Sequence, residues 1–416
     1  MKILQVNKFY YPRGGADRYF LDLTAALKEA GHEVAVFSMQ HPQNAATPWS
    51  RYFVSRVSFN GSGLKNKLKI PGRVLYSLEA KKKFTRLIKD FQPEIIHLHN
   101  IYHHLSPSIL DAAAHAKIPV VMHLHDYKLI CPNHALFTDG AVCERCRPQH
   151  YGRCWKHRCV KNSLTASALA ALEMYLHHSL LKIYEKNIAV FIAPSEFMKN
   201  TAVRFGQDEK KIQVIYNPYG REFSAGNGAT EKIENKKMTT GKKDDYFFYF
   251  GRLSAEKGLP VLIRAAALSG QKVKIAGNGS EEIMLRKLVE DLKAPVEFLG
   301  LKNAAELKPL ISGSQAIIIP SIWNENMPLS LLEAFSLGQP AIVSNIGGLP
   351  EVVQEGINGW LFKPGDGHDL AEKMLAVSKL DKRKLAAAAQ ATAELFTPEK
   401  NTAAVLNVYK KLLNKI

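Results

Sequence analysis

The chain has 416 residues, 46% of them hydrophobic and 23% charged, a globular balance that excludes a small stapled scaffold and a disordered or collagen-like chain. No apolar run reaches the roughly 18 to 20 residues of a spanning helix, and the N-terminus turns polar by Gln5 instead of forming a signal-peptide core, so a cytoplasmic location is expected. The net charge of +18 is uneven: residues 1–220 hold 30 Lys and Arg against 16 Asp and Glu, and residues 221–416 hold 26 against 22, which points the N-terminal half at nucleic acid, a membrane surface or a phosphorylated substrate.

The first forty residues read as a strand (MKILQVN), a glycine-bearing loop (KFYYPRGGA), an amphipathic helix (DRYFLDLTAALKEAG) and a second strand (HEVAVFSM), a βαβ unit. Further β-rich runs follow at PEIIHLHN, IPVVMHLHD, AVFIAPS and KIQVIYNP, each bounded by Pro, Asn, Asp or Gly and separated by helical patterns. Alternation of this kind predicts a parallel sheet with helices on both faces. Residues 221–245 lack apolar periodicity and are rich in Gly, Thr, Lys and Asp, the composition of a linker. The alternation restarts with YFFYFGRLS, KVKIAGNGS, VEFLG, AIIIPS and PAIVSN, with helices expected from about Pro260, Glu281 and Pro328. Thr397-Pro398-Glu399 reads as the cap, first-turn proline and first-turn acid of a terminal helix. The expected organisation is an α/β chain of two doubly wound, Rossmann-like domains at 1–220 and 246–397, joined by the linker and followed by a helix at 398–416.

Doubly wound sheets bind ligands outside the carboxyl ends of their strands, so the active site is expected in a cleft where two such sheets present those ends. Gly14-Gly15, between the first strand and helix, offers a close backbone approach and a helix N-terminus for an anion, or a plain tight turn. It lacks G-x-G-x-x-G spacing, which argues against NAD or FAD. FGRLSAEKG at 250–258 sets Gly251, Arg252 and Lys257 ahead of a helix, with two cations able to neutralise a departing diphosphate. IAGNGSEE supplies a further strand-to-helix turn, Gly277-Asn278-Gly279, with room for a ligand close to the backbone. ENMPLSLLE at 325–333 sets Glu325 in a loop and Glu333 in the next helix, with the N–H groups of Asn326, Met327, Leu329 and Ser330 between them. Carboxylates suit ligand hydroxyls and the amides suit its phosphates; acids on a helix surface give the same spacing.

These residues carry a family resemblance. Glu325 and Glu333, with EAFSLGQPAIVSNIGGLPEVV, INGWLF and FGRLSAEKG, are similar over about 246–365 to the retaining family 4 glycosyltransferases of GT-B fold. YYPRGGADRY, PEIIHLHN, HLHDY and APSEFMKN extend the likeness through the N-terminal half. The resemblance implies a nucleotide-sugar donor, UDP- or GDP-linked, held mainly by the second domain, with Arg252 and Lys257 on the diphosphate, Glu325 on the transferred sugar and Glu333 on the ribose. It implies His125 facing that sugar, Gly14-Gly15 under the phosphate and acceptor, and Asn217 between the domains. It further implies front-face transfer to a glycan hydroxyl with no catalytic metal, often onto a lipid-linked acceptor, and a terminal helix that crosses back onto the first domain. The run IYNPYG at Asn217 and the Asn-Met-Pro after Glu325 depart from the commoner family patterns. His97, His99 and His123 read equally well as ordinary sheet histidines.

All five cysteines fall within residues 131–159, in a loop after the His125 strand. Cys143, Cys146, Cys154 and Cys159 suit a structural zinc site, with Cys131 left over; reduced thiols, an iron–sulfur cluster and a disulfide are the alternatives. Residues 63–91 interleave nine Lys and Arg with leucines and Phe84, a pattern of either a helix on an anionic membrane, peripheral on its inner face, or a surface helix packed on the sheet. A zinc protein that binds nucleic acid would also fit the charge, yet RNP, helix-turn-helix and finger patterns are absent, so no nucleic acid is expected. A transferase-shaped partner without activity is the other rival, against which the intact Arg252, Lys257, Glu325 and Glu333 argue.

Overall fold

Apolar runs that do not alternate in polarity form strands buried on both faces, as parallel strands under two helical layers must be. The computed structural model describes residues 1–57, 64–224, 245–380 and 382–414. The chain divides into two units, one of residues 1–138, 143–216 and 401–416, the other of 139–142 and 217–400. Most of the segment expected as a linker, 225–244, lies outside the described residues.

In the first unit, β1 (Lys2–Val6), β2 (Glu33–Phe37), β3 (Ile95–Leu98) and β4 (Val120–His123) are followed by two short strands of the cysteine loop, β5 (Phe137–Thr138) and β6 (Ala141–Val142). β7 (Val190–Ala193) and β8 (Ile212–Val214) complete a parallel sheet of order β2-β1-β3-β4-β7-β8. The first helix, Gly15–Glu29, buries Tyr19, Phe20, Leu23 and Leu27, the helical stripe that the sequence shows. The terminal helix, Pro398–Leu413, starts with the Thr397 hydroxyl accepting from the Lys400 amide at 3.2 Å. It packs Val405, Val408 and Tyr409 among Ile3, Ile95, Val121 and Ile192.

The second unit holds β9 (Tyr246–Phe250), β10 (Lys272–Ala276), β11 (Val296–Gly300), β12 (Ile317–Ile319), β13 (Ala341–Ser344) and β14 (Gly359–Phe362). Their order, β11-β10-β9-β12-β13-β14, reverses between β9 and β12, so the loops leaving those two strands open the crevice where such sheets bind ligands. Phe247, Tyr249, Ile275, Ile318 and Ile342 form the core with Leu262, Ile263, Leu370 and Met374 of the covering helices.

The reading of 63–91 as a membrane helix meets a correction. Helix Leu78–Phe91 turns Ala80, Phe84, Leu87, Ile88 and Phe91 inward, and the Phe84 ring lies 4.9 Å from that of Phe37. Its apolar stripe is spent on the core, so Phe84 and Leu87 offer nothing to lipid. The side chains of Leu64, Lys65, Lys67, Leu68 and Lys69 lie outside the described residues. Among the described residues no helix is long and apolar enough to cross a membrane.

A buried ion pair fixes the turn after β4. Lys128 and Glu173, 2% and 1% exposed, meet at 2.7 Å, with His103 Nε2 at 2.9 Å from the same carboxylate oxygen. Burial alone would raise the Glu173 pKa, but Lys128 and His103 outweigh it and hold the carboxyl well below its ordinary range. A carboxyl depressed in the folded state contributes stability above its unfolded value of about 4.3 and loses it as pH falls through the folded value. Glu173→Gln is therefore expected to flatten the acid limb of a stability-versus-pH profile. At pH 7, Lys128→Ala should lower stability by about 3 kcal/mol or more in urea unfolding, because it strands a buried charge.

Candidate active site

The site is built from the two loops at the reversal of the second sheet. After β9 the chain passes Gly251 and Arg252, makes a short turn at Ala255–Lys257 and starts the helix Leu259–Ser269 through Gly258. Gly258 has φ +67°, and a Cβ there would lie 2.0 Å from the carbonyl oxygen of Pro320, which follows β12. Only glycine fits both the torsion and the contact. The Ile322 amide donates to Glu256 O at 3.0 Å and ties the same two loops together.

That approach places Lys257 on Glu325. Lys257 Nζ lies 2.6 Å from Glu325 Oε1, and the Ser321 hydroxyl donates to the same oxygen at 2.5 Å. The ammonium also sits 5.4 Å from the centroid of the Trp323 ring. Glu325 is only 4% exposed. Burial by itself would raise its pKa, but the Lys257 charge and hydrogen bonds from Lys257, Ser321 and Trp323 hold it below the ordinary range. The backbone of Glu325 is gripped as well: the Gly348 amide donates to its carbonyl at 2.7 Å, and a Cβ at Gly347, φ +65°, would lie 2.3 Å from that oxygen.

The remaining expected residues fall as follows. Arg252 is exposed, and its carbonyl accepts from the Tyr249 hydroxyl at 2.8 Å. Glu333 is buried in the helix Leu329–Ser336, which Pro328 precedes in extended conformation, so the amides of Leu329 and Ser330 open that helix. Asn217 is buried in the second unit and donates to the Met327 carbonyl at 3.4 Å, while Asn326 adjoins it in the loop. The Gly277-Asn278 turn is occupied by the protein's own backbone: Asn278 O accepts from the Leu253 amide at 2.9 Å, and a Cβ at Gly277 would lie 1.8 Å from Gly251 O. The open space expected at Gly277 for a ligand is thus filled by Gly251. Ser321, Trp323, Gly258 and Gly347 were not singled out by sequence reasoning; the Gly-Gly pair after β13 was the available signal for the last.

In the first unit, Gly14 caps the helix with φ −164°, an extended conformation open to any residue, and Gly15 is its first residue. Asp17 in that first turn accepts from Asn7 Nδ2 at 2.8 Å. His125 stands just after β4 in a stack of four histidines, its ring 4.4 Å from His123 and 5.1 Å from His99, with His97 4.5 Å from His99. Burial above all, then the neighbouring rings, holds His97, His99 and His125 well below the usual imidazole pKa, so they are neutral at pH 7. Gln5 Nε2 donates to the Tyr409 hydroxyl at 3.2 Å, which leaves Gln5 Oε1 to accept from His99 Nε2 at 2.9 Å. Neutral His99 then accepts through Nδ1 from His125 Nε2 at 2.8 Å, with the amide oriented this way. His125 thereby carries its proton on Nε2.

Two doubly wound parallel sheets in tandem, the second with a cation and buried carboxylates at its reversal point, define the GT-B class of glycosyltransferase. Within that class the chain belongs to glycosyltransferase family 4: residues 13–222 match the model for Glycosyltransferase Family 4, and residues 230–394 the model for Glycosyl transferases group 1. An uncharacterized glycosyltransferase of Methanocaldococcus jannaschii is 35% identical over 168 residues, 38% of this chain and 43% of that protein, so the match spans less than half of that relative. The O-antigen chain mannosyltransferase C of Escherichia coli is 23% identical over 99% of both chains. Among solved structures, the Anabaena protein HepE in complex with UDP superposes with a TM-score of 0.65 at 19% identity, over 99% of this chain and 100% of that one.

The pairing predicts unequal consequences for folding. Lys257→Ala leaves a buried carboxylate without its cation and should cost about 3 kcal/mol at pH 7, relieved toward pH 4 as the carboxyl protonates. Glu325→Gln keeps hydrogen-bonding capacity without the charge, so its loss should be smaller and nearly independent of pH; urea unfolding at both pH values compares them.

Proposed function

We propose that the chain transfers a hexosyl group, with retention of configuration, from a UDP- or GDP-sugar to a hydroxyl of a glycan acceptor in surface polysaccharide synthesis. The observation that carries this reading is the Lys257–Glu325 pair at the reversal point of the second sheet. A diphosphate arriving beside Arg252 and the helix at Leu329 competes with Glu325 for the Lys257 ammonium. Glu325, released from its cation, accepts from the hydroxyls of the transferred sugar, and Glu333 serves the ribose.

As the bond from the anomeric carbon to the phosphate oxygen breaks, Arg252, Lys257 and the helix amides neutralise the leaving group, the part a metal ion plays in other transferases. The acceptor oxygen bonds to the same face of that carbon while its proton passes to the departing phosphate. His125, neutral and with a fixed tautomer, positions the sugar as a hydrogen-bonding group and not as an acid. Gly14-Gly15 leaves room beneath the phosphate.

Relatives support the glycan acceptor: one is named as an O-antigen chain mannosyltransferase, and another, 35% identical over 36% of its length, as a putative colanic acid biosynthesis glycosyltransferase of Escherichia coli. The excess of 30 cations over 16 acids in residues 1–220 supports an anionic, lipid-linked acceptor at the inner face of the membrane.

A thermal-shift panel of UDP, GDP, ADP and NAD tests the donor. One of UDP or GDP at about a hundredfold its Kd should stabilise the protein by roughly 2.7 kcal/mol, and Lys257→Ala should lose that shift. Stabilisation by NAD alone, or an undiminished shift in Lys257→Ala, contradicts the reading.

A further inference from the structure

The cysteine loop uses none of the donor chemistry and has no other assignment. Its five thiols come from sequence positions up to 28 apart and line one small cavity of about 10 Å³, together with Pro132, Asn133 and Leu136. That is about the room of a single water-sized particle. Cys131 is already committed: its Sγ donates to Asn133 Oδ1 at 2.9 Å. Four sulfurs remain, from a Cys-x2-Cys and a Cys-x4-Cys, both within the spacings by which paired cysteines close on one ion.

The loop is poorly held by anything else. Its small core consists of Cys146, Cys154, Tyr151, Ala171 and Met174, with Cys159 and Val160 against it, so the thiols are themselves much of the apolar packing. Its backbone is also strained. Among the described residues twelve non-glycines have positive φ, and seven of these, His134, Leu136, Asp139, Gln149, Arg158, Lys161 and Asn162, lie between 134 and 162. Each is disfavoured by about 1 to 2 kcal/mol, which the surroundings must overcome. All five cysteines are free thiols, and Cys154 is hydrogen-bonded to Cys159. In this thiol form, among the described residues, no group of three or more His, Cys, Asp or Glu is preassembled for a metal ion.

We propose that Cys143, Cys146, Cys154 and Cys159 bind one structural zinc ion in this cavity. Binding replaces the thiol contacts by four Zn–S bonds of about 2.3 Å, with four protons released to solvent. The ion would over-determine the strained turns and fasten the loop to the helix Leu164–Met174, which supplies Ala171 and Met174 to the same core. Zinc is preferred to an iron–sulfur cluster because the cavity has room for one ion and not for several.

The test is elemental analysis of the full chain purified without chelator, followed by reconstitution of the stripped protein with cobalt(II). Expected are about one zinc per chain, a sulfur-to-cobalt charge-transfer band, and loss of both in Cys143→Ser and Cys154→Ser but not in Cys131→Ser. Should a serine variant fail to fold, stripping the native protein with chelator must still lower its Tm, and zinc must restore it. Less than about a tenth of an equivalent of zinc, with no cobalt–thiolate band, overturns the proposal, as does iron with acid-labile sulfide or metal content unchanged in Cys143→Ser.

Discussion

A carboxylate buried at the carboxyl edge of a sheet must have a cation, and here Glu325 has Lys257 at 2.6 Å. Much of the second unit's local architecture serves that contact. Gly258 lets the loop after β9 come against Pro320, and the Ile322–Glu256 bond holds it there. Gly347 and Gly348 fix the backbone of Glu325 from the loop after β13. A ligand that draws Lys257 away must give Glu325 donors in exchange. A nucleotide sugar has both halves of that exchange: an anionic diphosphate for the lysine and hydroxyls for the carboxylate. Recognition of the two parts of the donor is thereby coupled through one buried pair.

The first unit contributes a neutral counterpart. HLHN and HLHDY each place two histidines at i and i+2, on one face of neighbouring parallel strands, and the register aligns His97 with Val121 so that the four rings stack. Burial keeps them uncharged, which a stack of four imidazolium ions could not survive. Tyr409, from a helix more than 300 residues later in the chain, reaches Gln5 and His97 and so sets the hydrogen-bond sense of the row that ends at His125. The terminal helix therefore does more than cover apolar surface.

The strands were legible because parallel strands under two helical layers are short apolar runs ended by Pro, Asn, Asp or Gly. β14 escaped as a strand because Gly359–Phe362 is four residues long and opens with glycine. β5 and β6, two residues each, carry no period at all. The residue types at the site were legible as well, since Arg252, Lys257, Glu325 and Glu333 follow strand ends. Their pairing was not: Lys257 and Glu325 are 68 positions apart, and the contact depends on a backbone approach that only the space around Gly258 reveals. Gly277 shows the converse, a glycine that read as room for a ligand and serves the fold's own close packing. In Leu78–Phe91, lysines outside and aromatics inside give one pattern for a membrane and for a sheet, and burial alone tells them apart.

The claim that Lys257 and Glu325 act as one device is tested most directly by a double-mutant cycle on sugar transfer, with kcat/KM measured for Lys257→Ala, Glu325→Gln and the two combined. Groups that act as a unit are strongly non-additive, so the double variant should fall within about threefold of the worse single one. Losses that multiply across the cycle would show two independent contacts and contradict the account.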